Sequence, residues 1–152
     1  EDFSGKKAFA SGWGRTNLYD VKNKGSHILQ SSDNFKIDSK SKCKAFTREM
    51  LMDSEAQISK NKKYKDIFKS TICTTSSNKS VEVLVGEGDS GGPLVHFDEE
   101  TSEPILIGVV SYARPVKGRS SRAPGSFVDY FQSVAYYRNW IDTVLVALRL
   151  TK

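Results

Sequence analysis

Gly88-Asp89-Ser90-Gly91-Gly92-Pro93, running on into Leu94-Val95, is the stretch whose reading decides the fold. A serine hydroxyl is a weak nucleophile until a base takes its proton. Attack on a carbonyl then leaves negative charge on an oxygen that needs donors aimed at one point. Gly88 has no side chain to block a substrate, and its conformational freedom lets its N–H turn toward that point. The Ser90 N–H, two residues on, can converge on the same place. Gly91 and Gly92 let the chain leave the turn closely packed, and Pro93 fixes the backbone where a strand begins. A plain glycine-rich hairpin turn accounts for one or two of these glycines, not for the ordered hexapeptide.

Working outward, short apolar segments alternate with clusters of Gly, Ser, Asn and Lys. Six read as strands: Lys7 to Trp13, Ile28 to Ile37, Ile72 to Thr75, Gly92 to Phe97, Ile105 to Tyr112 and Ser126 to Tyr130. Gly118 to Gly125 is a loop. Val134, Tyr137, Ile141, Leu145 and Leu148 recur at helical spacing behind Ser133, a candidate N-cap, which predicts a closing helix over 134–148. Thr47 to Ile58 reads as a second, shorter helix. Together these predict an antiparallel all-β unit of six strands closed by a C-terminal helix.

The 152 residues are 38% apolar and 27% charged, which fits a globular chain, and no apolar run reaches the ~20 residues of a membrane span. There is no initiator Met and no signal-peptide pattern, so the natural start is expected upstream. Much of the +5 net charge lies between Lys60 and Lys69. That run reads as a solvated helix or loop, or alternatively as a surface for heparin-like glycans or nucleic acid. Only Tyr64 and Phe68 offer stacking rings there, so neither nucleic acid nor a membrane is expected as a partner. Cys43 and Cys73 allow one bridge; nothing near them has metal-ligand spacing, and no metal or cofactor is expected. Asn78-Lys79-Ser80 is a glycosylation sequon, and with the cysteine pair it leans extracellular.

The hexapeptide resembles the active-site serine segment of the chymotrypsin/trypsin-like peptidase family, and four other pieces match in order. Ser11-Gly12-Trp13-Gly14 is similar to the family's segment opening its second barrel. Cys43 and Cys73 resemble the pair that bridges the intermediate loop to the next strand. Ile107-Gly108-Val109-Val110-Ser111-Tyr112 is similar to the strand after the serine. Pro124-Gly125-Ser126-Phe127 resembles a later pocket strand, followed by Tyr137 and Trp140-Ile141 on the closing helix. The resemblance implies the second, six-stranded barrel and C-terminal helix of a serine endopeptidase, over residues 1–152. Ser90 is then the nucleophile, and the Gly88 and Ser90 N–H groups form the oxyanion hole. Asp89 pairs with an N-terminal amine released by cleavage. Ser111, Tyr112 and Ala113 line the cleft for a polypeptide substrate.

The same resemblance puts the catalytic His and Asp before the serine, in an N-terminal half that the implied domain needs as its partner. His96 lies six residues past Ser90, about 20 Å away if extended. His27 sits beside Gly25 and Ser26 in no catalytic context. Alone, therefore, these 152 residues are expected to be inactive and poorly soluble. A non-catalytic homologue serving as a binding or regulatory module is the alternative. Leu84 stands at the pocket base with Ala113 and Gly125 at its walls, implying an apolar or small substrate residue, or a pocket filled by Leu84. Gly86 replaces a cysteine of the family, which removes about 2–4 kcal/mol of restraint and predicts freer pocket loops. Phe46 to Lys69 looks like an insertion, expected as an exposed basic helical loop near the cleft rim.

Overall fold

A computed structural model describes residues 2–16, 22, 25–51, 62–77, 84–116 and 126–150. The strands are β1 (Lys7–Gly12), β2 (Gln30–Ile37), β3 (Thr71–Ser76), β4 (Pro93–Phe97), β5 (Pro104–Pro115) and β6 (Phe127–Ser133). Among the described residues three helices accompany them: α1 (Lys40–Leu51), α2 (Lys62–Ser70) and α3 (Val134–Leu150). The six strands close into an antiparallel barrel in the order β1-β2-β3-β6-β5-β4. This is the predicted class, with each predicted strand in place and its ends moved by a few residues.

Period-two burial drives the closure. Ala8 and Ala10 of β1, Phe35 and Ile37 of β2, Leu94 of β4, Ile107 and Val110 of β5 and Phe131 of β6 turn inward and form one cluster with Val85. The barrel seals where β1 meets β4, at Phe9↔Val95 and Ala10↔Leu94, which leaves no edge strand open. Register shifts in β1 (Ala8/Ala10), β4 (Leu94/Val95) and β5 (Val110/Tyr112) supply the bends that a closed barrel needs. On the outside of β6, Val128 and Tyr130 pack with Cys43 and Cys73.

The second helix begins seven residues before its predicted start at Thr47, and the part of the prediction beyond Leu51 lies outside the described residues. Its predicted start at Thr47 rested on a Thr followed by acidic residues. The observed cap is Ser39, whose Oγ accepts from Lys42 N–H at 3.3 Å, so α1 begins at Lys40. The Cys43–Cys73 disulfide staples this helix to β3, with Cα atoms 5.3 Å apart. Residues 52–61 of the expected insertion are outside the described residues. Phe46 packs beside Tyr112 and Val116, whereas α2 leads into the start of β3 at the other end of the barrel, away from the expected cleft rim.

α3 begins where predicted, and Ser133 Oγ accepts from Tyr136 N–H at 3.3 Å. Its apolar stripe is largely uncovered. Trp140 is 65% exposed, Leu148 58% and Val146 55%, while Val134, Ile141 and Val144 alone on this helix are partly buried.

Candidate active site

Ser90 is exposed in a tight turn just before β4. Gly88 has φ +100° and Gly91 φ +85°, a region that residues with a Cβ enter only with strain. Four backbone bonds hold the turn. Asp89 N–H donates to Gly86 O at 3.1 Å and Gly92 N–H to Asp89 O at 2.9 Å. Gly91 N–H donates to Val110 O at 3.0 Å, and Val110 N–H to Gly92 O at 2.8 Å, which docks the turn on β5.

Arg15 N–H donates to Glu87 O at 2.8 Å. Carbonyl and N–H point in opposite directions across a trans peptide, so this bond directs the Gly88 N–H away from Arg15. The Arg15 guanidinium reinforces the contact through Nη1, 2.9 Å from Glu87 Oε2.

Asp89 occupies a seat built from backbone. Its Oδ1 accepts from Gly14 N–H at 2.7 Å and its Oδ2 from Gly86 N–H at 2.8 Å. A Cβ on Gly12 would stand 2.0 Å from Oδ1, and one on Gly14 2.5 Å from Cγ. Two glycines of Ser11-Gly12-Trp13-Gly14 are thus required by a carboxylate 75 residues further along. Gly86 is equally confined, since a Cβ there would come within 2.4 Å of Arg15 O. At the position of the family's cysteine, Gly86 is clasped between Arg15 and Asp89, while the pocket loop at 117–125 lies outside the described residues.

Leu84 is half-buried and followed by buried Val85, ahead of the serine turn. Ser111, Tyr112 and Ala113 lie half-buried on β5. The Tyr112 ring stacks on Tyr130 at 4.6 Å between centroids. Burial raises the pKa of both phenols, and their mutual repulsion adds to it at Tyr130, so each stays protonated. Gly125 and Asn78 lie outside the described residues. The residue that β6 sets across from Ala113 is the buried Asp129, whose Oδ1 accepts from Val85 N–H at 2.9 Å just ahead of the serine turn and which the sequence reading did not single out. The available signal was a lone carboxylate inside the apolar run Phe127-Val128-Asp129-Tyr130-Phe131. Arg15 was missed because its contribution comes from its backbone.

The histidines serve elsewhere. His96 is 4% exposed, its Nδ1 2.9 Å from Lys7 O and its ring edge-on to Phe3. It lies toward the far end of β4, pairing with Ile105, while Ser90 precedes the near end. His27 is exposed ahead of β2. The far end of the barrel also holds a cavity of about 660 Å³, lined by residues including Ile37, Asp38, Ile72, Ile105 and Arg138.

Three comparisons bear on this arrangement. No curated protein matches the chain. The crystal structure of the scabies mite inactivated protease paralogue S-D1 is similar, with a TM-score of 0.60 and 24% identity. The match covers 97% of this chain and 50% of that one, so the chain spans half the length of that structure. The family model Trypsin matches residues 3–141, and the chain belongs to that family, with a trypsin-like barrel carrying the serine turn.

Proposed function

We propose that this chain is the nucleophile-bearing half of a secreted serine endopeptidase, acting through an acyl-enzyme on Ser90. The observation that carries this reading is the Arg15 N–H to Glu87 O bond at 2.8 Å. It fixes the Gly88 N–H in advance, beside an exposed Ser90, so little reorganisation remains to be done when charge develops. Without that bond the Glu87–Gly88 peptide could turn over and present a carbonyl where a donor is needed.

The chemistry then runs as follows. Ser90 Oγ forms a bond to the scissile carbonyl carbon, and its proton passes to a histidine supplied, with its orienting aspartate, by the preceding half of the domain. Charge on the carbonyl oxygen meets the Gly88 and Ser90 N–H groups. The C–N bond breaks as the amine takes the proton, and water releases the acyl group by the reverse path. Ser111 to Ala113 would pair with the extended substrate as an added strand. The two N–H groups on Asp89 already stabilise its charge, and an N-terminal amine would add a third partner. The disulfide and the Asn78 sequon support export from the cell.

A non-catalytic homologue is the second reading. It is favoured by a similar solved structure that is itself an inactivated paralogue. A fluorophosphonate probe applied to the full-length protein separates the two. Covalent labelling that is abolished by Ser90→Ala supports the peptidase. A folded protein that stays unlabelled supports the binding module.

A further inference from the structure

The cavity of about 660 Å³ at the far end of the barrel takes no part in the chemistry proposed for Ser90. Its volume falls within the roughly 300–1,000 Å³ of sites that hold small molecules. Apolar side chains line it from separate segments, among them Phe3 ahead of β1, Ile37 of β2, Phe68 of α2, Ile72 of β3 and Ile105 of β5. Such sites are mostly apolar, with a small number of polar groups that fix the ligand's orientation.

Asp38 lines the same cavity, where β2 gives way to α1. Its side chain is 3% exposed. Oδ1 accepts from both Lys42 Nζ and Thr75 Oγ1, whereas Oδ2 has no hydrogen-bond partner among the described residues. A buried carboxylate oxygen without a donor is unfavourable, because its hydration is lost and nothing replaces it. The raised pKa of Asp38 has that cause, since burial outweighs the pull of Lys42 and Thr75. Asp38 is thus short of one donor on a wall of the cavity.

We propose that this cavity is a binding site for a neutral, largely apolar small molecule that donates one hydrogen bond to Asp38 Oδ2. The apolar body of the ligand would lie against the phenylalanines and isoleucines, and its single N–H or O–H would replace the hydration that Oδ2 has lost. A cationic ligand is disfavoured. Lys42 already offsets the Asp38 charge, and Lys40, Lys69 and Arg138 line the same walls, with Asp2 the only other carboxylate among the described lining residues. An anionic ligand would meet the charge of Asp38 itself. The site does not depend on the peptidase reading of Ser90.

The test is calorimetric titration of the full-length protein with indole and with benzofuran, which has the same shape but an oxygen in place of the N–H. Indole should bind at least about tenfold more tightly, the effect of one hydrogen bond to a charged acceptor. Asp38→Asn should remove that preference. Lys42 and Thr75 hold the remaining oxygen, so the amide puts its NH₂, a donor, where Oδ2 stood. Ala135→Trp alters an exposed position on the first turn of α3 that also lines the cavity, and it should abolish the binding of both ligands. That variant keeps the test open even where Asp38→Asn fails to fold. Equal affinities in the wild type, or a preference that survives in Asp38→Asn, would overturn the proposal. So would affinities unchanged in Ala135→Trp, which would place the ligands elsewhere on the protein. Binding of neither ligand would mean that water alone fills the cavity, and would overturn it as well.

Discussion

Asp89 and Asp38 lie at opposite ends of one barrel and are held by different kinds of donor. Asp89, beside Ser90, accepts from two backbone N–H groups and is boxed in by glycines. Asp38, at the end with the cavity, accepts through Oδ1 from Lys42 Nζ and from Thr75 Oγ1 at 3.2 Å, while its Oδ2 has no hydrogen-bond partner among the described residues. Backbone donors are fixed by the strands and cost no side-chain entropy to hold in place. Lys42 is half exposed and must be ordered for the task. The end that carries Ser90 thus holds its carboxylate with the main chain, and the other end tolerates an incompletely satisfied one.

The sharpest way to break this contrast is Gly14→Ala. The new methyl would collide with the Asp89 carboxylate and turn the oxyanion segment out of line. Fluorophosphonate labelling of Ser90 in the full-length protein should slow by about 10²–10³, the usual cost of one lost oxyanion donor. The cavity end should be unaffected, so chemical unfolding should remain a single transition. Labelling at the wild-type rate would show that the Asp89 seat does not position the turn.

A smaller effect is expected from Asp38→Asn, read as a function of pH. Burial raises the Asp38 pKa above its ordinary 3.8, against the opposing pull of Lys42 and Thr75. The folded state then binds this proton more tightly than the unfolded chain, so the Asp38 contribution to stability falls as pH rises from 3.8 through the raised folded value. Asn carries no proton to lose. Unfolding midpoints of the two proteins should diverge across that window, with the variant gaining as pH rises, while Ser90 labelling stays the same. Parallel curves would mean that Asp38 is not held in the way described.

The least effect is expected from Arg15→Gln. Its ion pair joins a guanidinium 28% exposed to a carboxylate 73% exposed, and such surface pairs contribute about 0–1 kcal/mol. The backbone N–H that orients Glu87 remains, so labelling should change by no more than about fivefold. A loss comparable to Gly14→Ala would move the credit from the main chain to the side chain.

The contrast between the two ends also marks what was legible in the sequence. The serine turn, the six strands and the closing helix announce themselves through period and through glycine spacing, because backbone requirements leave local traces. Ser133 caps its helix as read. The start of α1 was misplaced because Ser39 is followed by Lys and Ser rather than by the acidic residues that usually mark a first turn. Asp129 was passed over because its bond to Val85 joins residues 44 apart, which no single segment reveals. The helical period of α3 was read correctly, but Leu145 and Leu148 of its apolar stripe are exposed, because a periodic stripe says that a face exists and not what covers it.

The seat of Asp89 has a consequence in time as well as in space. Its bond to Gly14 joins residues 75 apart, and the Asp129 bond to Val85 spans 44. Contacts that distant close late, after the local turns and the helices. As the chain leaves the ribosome, β1 must wait for nearly half of these residues before its glycines receive their carboxylate, and the partner of Val85 arrives later still. The turn that carries Ser90 is therefore locked in place only after most of the barrel's sequence has been made.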